Sequence, residues 1–294
     1  MNELPQTEAR NPETAGLDKL TTADLVALLA SEQREAAEAV VKVKEKLAAA
    51  VDEIAQRLTS GATLHYFGAG SSGRIGFLDA SEMPPTFGTD PQLVCAHIAG
   101  GKDALTRAIE GAEDDGDAGD REARGHVRAN DAVVGISASG SAAFVIRAIL
   151  AAREIGAWTL GVCNTAGSAL EAAADLTIVL QTGAEPLTGS TRLKAGSAQK
   201  ILLNTLSTAT MIRLEKVYDN LMVDLVATNN KLRRRALLLV MQLVPTDENG
   251  AAKLLDAAGG RVKVAVIMGR RSITADEART LLASHGDSLR RALS

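Results

Sequence analysis

Short apolar runs that break into glycine and serine, and then into helix-patterned segments, govern what this chain can become. The first apolar run covers about residues 62–67 and gives way to a glycine-rich turn and a helix pattern from near Gly73. QLVCAHI (92–98), DAVVGIS (131–137), TLGVCN (159–164) and LTIVL (176–180) repeat the theme, with turn-and-helix patterns after the second and third. Strands alternating with helices of this length imply right-handed βαβ units and a parallel sheet covered on both faces. The expectation is therefore an α/β fold. Because aromatic residues make up only 2% of the chain, its core must be built from Ala, Leu, Val and Ile.

The flanks read differently. Residues 1–20 form an irregular arm rich in Pro, Thr, Asn and Glu, and 21–58 keep helical spacing throughout, with Thr22 as a cap and Asp24 in the first turn. Downstream, the polar loop QTGAEPLTGSTRLKAG leads into a helix over about 197–217, and a second helix is expected over about 219–243. Beyond Pro245 come three or four short helical patterns, with Thr246 and Thr274 as N-caps, while VKVAVIM fits a strand or a helix equally. The expected organisation is an arm (1–20), a sheet domain (21–244) and a small helical C-terminal domain (245–294).

Composition excludes several function classes. A net charge of −4 offers no basic face for nucleic acid or an anionic membrane. No apolar stretch reaches the roughly 20 residues of a membrane helix, and the polar N-terminus has no secretory core. Cys95 and Cys163, far apart in apolar runs, read as reduced core thiols, so a cytoplasmic location is expected.

Two strand-to-turn junctions share one design. FGAGSSGR (67–74) and ISASGSA (136–142) each end an apolar strand in glycine and hydroxyls and then open a helix. Glycine lets backbone approach a ligand, the helix start presents unpaired N–H groups, and serine adds donors, which together suit an anion such as phosphate. GAGSSG matches GxGxxG, but the second strand ends HIAGG without the acid that a dinucleotide needs, and the loop has no Walker lysine. GSTRLKAGSAQK (189–200) adds hydroxyls, Arg192, Lys194 and Gln199 before a long helix.

Among the acids, Glu82 precedes Met83-Pro84-Pro85 and is expected at a helix end. Glu110 and Glu113 lie three apart on an expected helix, and Asp114, Asp115, Asp117 and Asp120 read as a solvated helix end. His65, His97, His126 and His285 are scattered with no HxxxH or Cys/His pairing, so no metal site is expected. The serines lack GxSxG, which disfavours a nucleophilic serine. Asn220, Asp224 and Asn229 fall on the expected apolar helix over 219–243, where they need partners.

TEARNPET, FGAGSSGRIGFLDASEMPPTFG, IAGGKDALTRAIEGAEDD, GISASG, GAEPLTGSTRLKAGSAQKILLNTLST and KVYDNLMVDLVATNNKL occur in that order. Together they resemble the N-acetylmuramic acid 6-phosphate etherases, a family of the sugar isomerase (SIS) fold related to glucokinase regulatory protein. The resemblance implies a three-layer SIS sandwich with long helices, a cytoplasmic homodimer, an amino-sugar phosphate as small-molecule partner, and no metal or organic cofactor. The implied reaction cleaves the D-lactyl ether of N-acetylmuramate 6-phosphate with water, giving N-acetylglucosamine 6-phosphate and D-lactate in peptidoglycan recycling.

By the same resemblance the acid/base glutamate is Glu82 and the second active-site glutamate is Glu113. Substrate contacts fall on Gly70, Ser71, Ser72, Ser137 and Ser139, with Ser190, Thr191, Arg192 and Lys194 as a further wall. One departure stands out: the family reads SASGRTPYV where this chain has SASGSAAFV, so an expected cation and a tyrosyl hydroxyl are replaced at Ser141–Phe144. Two other readings stay open, a sugar-phosphate-binding regulator without turnover and an aldose–ketose isomerase of the same fold.

Overall fold

The computed structural model describes residues 5–225 and 230–294, and the chain forms two compact units. The first contains residues up to Ser81 together with Gln92–Thr208; the second contains Glu82–Pro91 and Ala209–Ser294.

The first unit is built on a parallel sheet. Its strands are β1 (Leu64–Gly68), β2 (Val94–Ile98), β3 (Ala132–Ser137), β4 (Trp158–Cys163) and β5 (Leu176–Val179), in spatial order β2-β1-β3-β4-β5. Every neighbouring pair is parallel, with Leu64 opposite both Val94 and Ala132. Side chains alternate between two covered faces. Gly135 meets Val145 and Ile149 of helix α6 (Ala143–Ile155) on one face, while Tyr66 and Ile136 approach Gly76 of helix α4 (Gly70–Phe87) on the other. The α/β expectation is met, and the core is mostly aliphatic: Val133, Val145, Ala148 and Ile149 share one cluster with Phe67 and Phe144.

Around the sheet run α1 (Thr22–Glu32), α2 (Arg34–Lys42) and α3 (Lys44–Thr59), then α5 (Gly116–His126), α7 (Ala169–Ala173) and α8 (Lys194–Arg213). The single helical run expected over 21–58 is broken at Gln33 and Val43, and the cap of α1 is Thr21, which accepts from Asp24 N, rather than Thr22. The arm forms three 3₁₀ turns. Its Asn11 Nδ2 and Thr14 Oγ1 donate to the carbonyls of Ala184 and Pro186 at 3.4 and 2.9 Å.

The second unit holds a hairpin of β6 (Val217–Tyr218) and β7 (Leu221–Met222), then α9 (Asn230–Leu243), α10 (Glu248–Ala257), α11 (Val262–Arg271), α12 (Ala275–Ser284) and α13 (Leu289–Leu293). The hairpin replaces the first part of the helix expected over 219–243, because Asp219 turns the chain with a left-handed φ of 55°. VKVAVIM is helical, with Val264, Val266 and Ile267 fully buried. Thr274 caps α12 in a capping box as expected, whereas Asp247, not Thr246, caps α10. The core of this unit includes Val223, Leu239 and Val240 as well as α10–α13, so it starts well before residue 245, where the sequence pattern changes. At its centre Lys263, 1% exposed, donates from Nζ to Asp224 Oδ2 (2.9 Å), Asp287 Oδ2 (3.1 Å) and Asp287 O (2.8 Å).

Candidate active site

In the order β2-β1-β3-β4-β5 the chain leaves β1 toward one side of the sheet and returns at β3 on the other. In open parallel sheets ligands bind at such a switch point, outside the carboxyl ends of the strands. Both hydroxyl loops lie there: GAGSSG follows β1 and SASGS follows β3.

The first loop depends on glycine for close approach. A Cβ on Gly68 would lie 2.6 Å from Gly73 N, so strand end and helix start are in backbone contact, and one on Gly73 would lie 2.6 Å from the Ile98 side chain of β2. Gly70 opens α4 with φ 52°, Ser71 is half-buried in the first turn and Ser72 is buried. Ser72 Oγ donates to Gln199 Oε1 at 2.8 Å, and Gln199 Nε2 donates to Asn164 Oδ1 at 3.0 Å. Asn164 N in turn donates to Ala138 O at 2.9 Å, which ties the second loop to the same network. There Ser137 Oγ accepts from Gly140 N at 3.1 Å, and Ser139 and Ser141 share a 2.7 Å hydroxyl–hydroxyl bond at the surface. The structure thus joins Ser72 through Gln199 and Asn164 to the backbone of the second loop at Ala138, between Ser137 and Ser139. Asn164 escaped the sequence reading because a lone Asn after a strand carries no pattern.

The SASGSAAF departure now has a location. Phe144 is 3% exposed and its ring lies 6.3 Å from that of Phe67 in the sheet core. The hydroxyl missing relative to the family pattern is therefore a core change, and only Ser141 of this stretch is exposed.

The loop before α8 is held by an acid that sequence reasoning passed over. Glu185, fully buried, accepts from Lys194 N and Ala195 N, both at 2.9 Å, and so satisfies the start of that helix. Burial pushes its carboxyl above the usual range, against the pull of those two amides. Lys194 is 2% exposed, and its ammonium is bound by Glu32 (2.8 Å) and Glu35 (2.7 Å). Burial opposes that charge, but the two carboxylates outweigh it and raise its pKa. Its cation holds α1 and α2 to α8. Arg192 is exposed, with Ser190 and Thr191 half-buried beside it, and it lines a concavity of about 460 Å³ with Ile75, Ser197 and Lys200.

The two glutamates are placed differently from expectation. Helix α4 does not stop at Met83: it continues through Pro84 and Pro85 to Phe87, and Gly88 N donates to Pro84 O at 2.9 Å. Two prolines cost two helix bonds. Met83 and Phe87, one turn apart and both buried, offset that loss. Glu82 is exposed on the last turns of α4 and belongs to the second unit. The expected helix around 102–115 is instead two 3₁₀ turns, Lys102–Leu105 and Ala112–Asp114, since Gly100, Gly101 and Gly111 all adopt positive φ. Glu113 sits exposed in the second turn, in the first unit, and shares no helix with Glu110. The acidic run is a solvated helix start, Asp115 capping α5 by accepting from Ala118 N at 2.8 Å.

Of the polar residues placed on the apolar helix, Asn220 lies exposed on the hairpin turn, Asp224 takes the ammonium groups of Lys216 and Lys263, and Asn229 lies outside the described residues. Asp79, unremarked in the sequence, is a buried acceptor on α4. Tyr66 Oη, Asn204 Nδ2 and Ser207 Oγ donate to it at 2.9, 2.6 and 3.0 Å, and burial raises its pKa despite these bonds. It locks α4, and with it the first loop, to β1 and α8.

Three of the four scattered histidines converge. His65 Nδ1 lies 3.1 Å from His97 Nε2, and His97 Nδ1 lies 2.9 Å from Glu122 Oε1. Glu122 and His126 stand one turn apart on α5, with 3.5 Å between Glu122 Oε1 and His126 Nδ1. Burial, reinforced by the neighbouring His97, lowers His65 to about 4, and burial also lowers His97. The three histidines form no linear motif, because β1, β2 and α5 supply them from far apart in sequence.

Comparison with known proteins agrees with this architecture. The SIS domain family matches residues 113–209, and the N-terminal SIS domain of glucokinase regulatory protein matches residues 46–153. Two solved phosphoheptose isomerases share the fold. The one from Francisella tularensis has 16% identity and a TM-score of 0.51 and covers 65% of this chain and 98% of its own. The one from Neisseria gonorrhoeae has 22% identity and a TM-score of 0.50 and covers 65% and 98%. Among sequence relatives, the N-acetylmuramic acid 6-phosphate etherase of Symbiobacterium thermophilum is 49% identical over 89% of this chain and 87% of its own. Those of Cutibacterium acnes and Pasteurella multocida are each 43% identical, over 99% and 98% of this chain and 96% of their own. At this identity over nearly the whole length, the chain belongs to the N-acetylmuramic acid 6-phosphate etherase family.

Proposed function

We propose that this chain cleaves the D-lactyl ether of N-acetylmuramate 6-phosphate with water, releasing D-lactate and N-acetylglucosamine 6-phosphate. The observation that carries the reading is the near full-length identity to proteins of that name. The switch-point loops agree with it: the start of α4 with Ser71, and the Ser139–Ser141 pair, offer neutral donors suited to a phosphate or sugar hydroxyls.

The chemistry calls for two carboxyl groups. In the open-chain sugar the ether carbon is β to the aldehyde, so loss of the C2 proton gives an enolate that expels lactate. A base takes that proton and an acid protonates the leaving alkoxide. Water then adds to the unsaturated aldehyde, activated by the now deprotonated acid, and C2 regains a proton. Glu113 is assigned to C2 and Glu82 to the lactate and water side. Neither step requires a metal or organic cofactor. Ser190, Thr191 and Arg192 are proposed as the pocket wall, Arg192 supplying an exposed cation. A cytoplasmic homodimer belongs to the same reading, and light scattering of the purified protein tests the oligomer.

Lactate release from N-acetylmuramate 6-phosphate by the wild type, lost in both Glu82→Gln and Glu113→Gln, is the expected result. A wild type that binds amino-sugar 6-phosphates without releasing lactate would establish the regulator reading instead, which the glucokinase regulatory protein match also supports.

A further inference from the structure

The row Asp131–His65–His97–Glu122 contains three nitrogen-to-neighbour contacts. His65 Nε2 faces Asp131 Oδ2 at 3.4 Å, His65 Nδ1 faces His97 Nε2 at 3.1 Å, and His97 Nδ1 faces Glu122 Oε1 at 2.9 Å. Two neutral imidazoles carry one proton each, so only two of these contacts can be hydrogen bonds. Asp131 cannot supply the third proton as an ordinary carboxylate: its oxygens already accept from Thr63 N (2.9 Å) and Arg128 N (2.7 Å). Whichever tautomers are chosen, at least one of the three contacts lacks a proton, so a lone pair faces either a carboxylate or the other imidazole's lone pair, and His65 Nε2 is indeed buried without a hydrogen-bond partner, in a side chain 4% exposed.

One change repairs the whole row. If a cation takes the lone pair of His97 Nδ1, the ring carries its proton on Nε2 and donates to His65 Nδ1. His65 then carries its own proton on Nε2 and donates to Asp131. A metal-bound histidine usually donates its second N–H to a buried acceptor, and here His65, relayed to Asp131, fills that place.

The end of the row that faces solvent is equipped to hold such a cation. A nitrogen of His97, a carboxylate oxygen of Glu122 and a nitrogen of His126 lie within 4.8 Å of one another. The pair Glu122 and His126 has the one-turn spacing that puts two ligands on one helix face. Around a tetrahedral ion with bonds of about 2.1 Å, ligand atoms stand roughly 3.4 Å apart. The remaining closure is within rotamer reach of Glu122 and His126, both of which retain solvent access. Imidazole with carboxylate suits zinc and its neighbours rather than calcium or magnesium.

We propose that His97, Glu122 and His126 form a zinc-type divalent cation site, oriented from behind by His65 and Asp131, with solvent completing the coordination. The site links β2 to α5 within the first unit and uses none of the residues assigned to substrate.

The test uses the full chain stripped with EDTA and titrated with Co²⁺ and then Zn²⁺. The expected result is saturable uptake of one equivalent, with a visible Co²⁺ spectrum of low coordination number that Zn²⁺ abolishes. Glu122→Ala and His126→Ala, both at solvent-accessible positions, should each weaken uptake at least about 10-fold while melting cooperatively, and His65→Phe should weaken it about 10- to 100-fold. Nitrogen-15 spectra of the rings should show the His97 proton on Nε2 in the loaded protein. No saturable uptake, or uptake unchanged in the double variant Glu122→Ala/His126→Ala, overturns the proposal. A metal-free protein in which a third proton resides on the His65–His97 pair near pH 7 also overturns it, since the row would then be complete without a metal.

Discussion

Replacing Gly68 by alanine tests whether the first loop is built on backbone contact. The new Cβ would stand 2.6 Å from Gly73 N and 2.7 Å from Gly73 Cα. Unstrained contact needs about 3.5 Å, so strand end and helix start must part by roughly 0.9 Å. Nothing at this junction is the tip of a flexible side chain, and overpacking of that kind costs about 1–3 kcal/mol. For a unit of this size the melting temperature should fall by roughly 2–12 °C. The displacement falls on Gly70, Ser71 and Ser72, and an offset near 1 Å in groups that position a substrate costs about 100-fold in rate. Gly125→Ala is the control: its Cβ meets nothing within 4 Å on an exposed turn of α5, and helix propensity predicts a gain of up to about 1 kcal/mol with turnover unchanged. Differential scanning calorimetry with a lactate-release assay reads both variants. A Gly68→Ala protein with wild-type melting and turnover would refute the argument from close approach.

Three further outcomes follow from the buried polar groups. Because His65 titrates at about 4 in the folded chain against 6.5 when free, the unfolded state binds the extra proton first as the medium is acidified. Its contribution is present above 6.5 and is lost on going down toward 4, at up to about 1.4 kcal/mol per pH unit. In EDTA, urea midpoints should therefore fall between about pH 7 and about pH 4.5, less steeply in His65→Gln, and equal slopes would contradict the assignment. Lys263→Met removes the ammonium shared by Asp224 and Asp287, but Asp224 keeps Lys216 and the Asp287 carboxylate reaches solvent, so the cost should be about 1–3 kcal/mol, and no measurable loss by urea titration would count against it. Ser72→Ala leaves Gln199 Oε1 buried without its donor and should cost about 1–3 kcal/mol, whereas a neutral result would place water there.

The parts of the fold legible in the sequence are those carried by local periodicity. β1–β5 and the helices after β3 and at the C-terminus follow from apolar patterning, and the two hydroxyl loops from glycine and serine at strand ends. The misses have different causes. Pro84 forecasts a helix end, but the buried pair Met83 and Phe87 carries α4 onward. AGGKDALTRAIEGAED has helix-compatible composition, yet three glycines in left-handed conformations keep it in short turns. The partners of Lys194, Glu32 and Glu35, come from over 150 residues away, which no local pattern announces. The histidine cluster has no linear signature beyond Glu122-x-x-x-His126, which gains meaning only when β2 brings His97 beside it.

The arm's hydrogen bonds to the carbonyls of Ala184 and Pro186 span 173 and 172 positions of sequence. A chain made from its N-terminus at about 5–20 residues per second must extend for roughly ten seconds or more before residues 11–14 can meet their acceptors. Until then Thr14 has only local and solvent partners and Asn11 has those and Glu32, and the arm remains open to proteases and chaperones. Its docking is thus a late event that reports completion of the loop before α8, and resistance of the arm to limited proteolysis would mark the moment when that stretch has reached its final place.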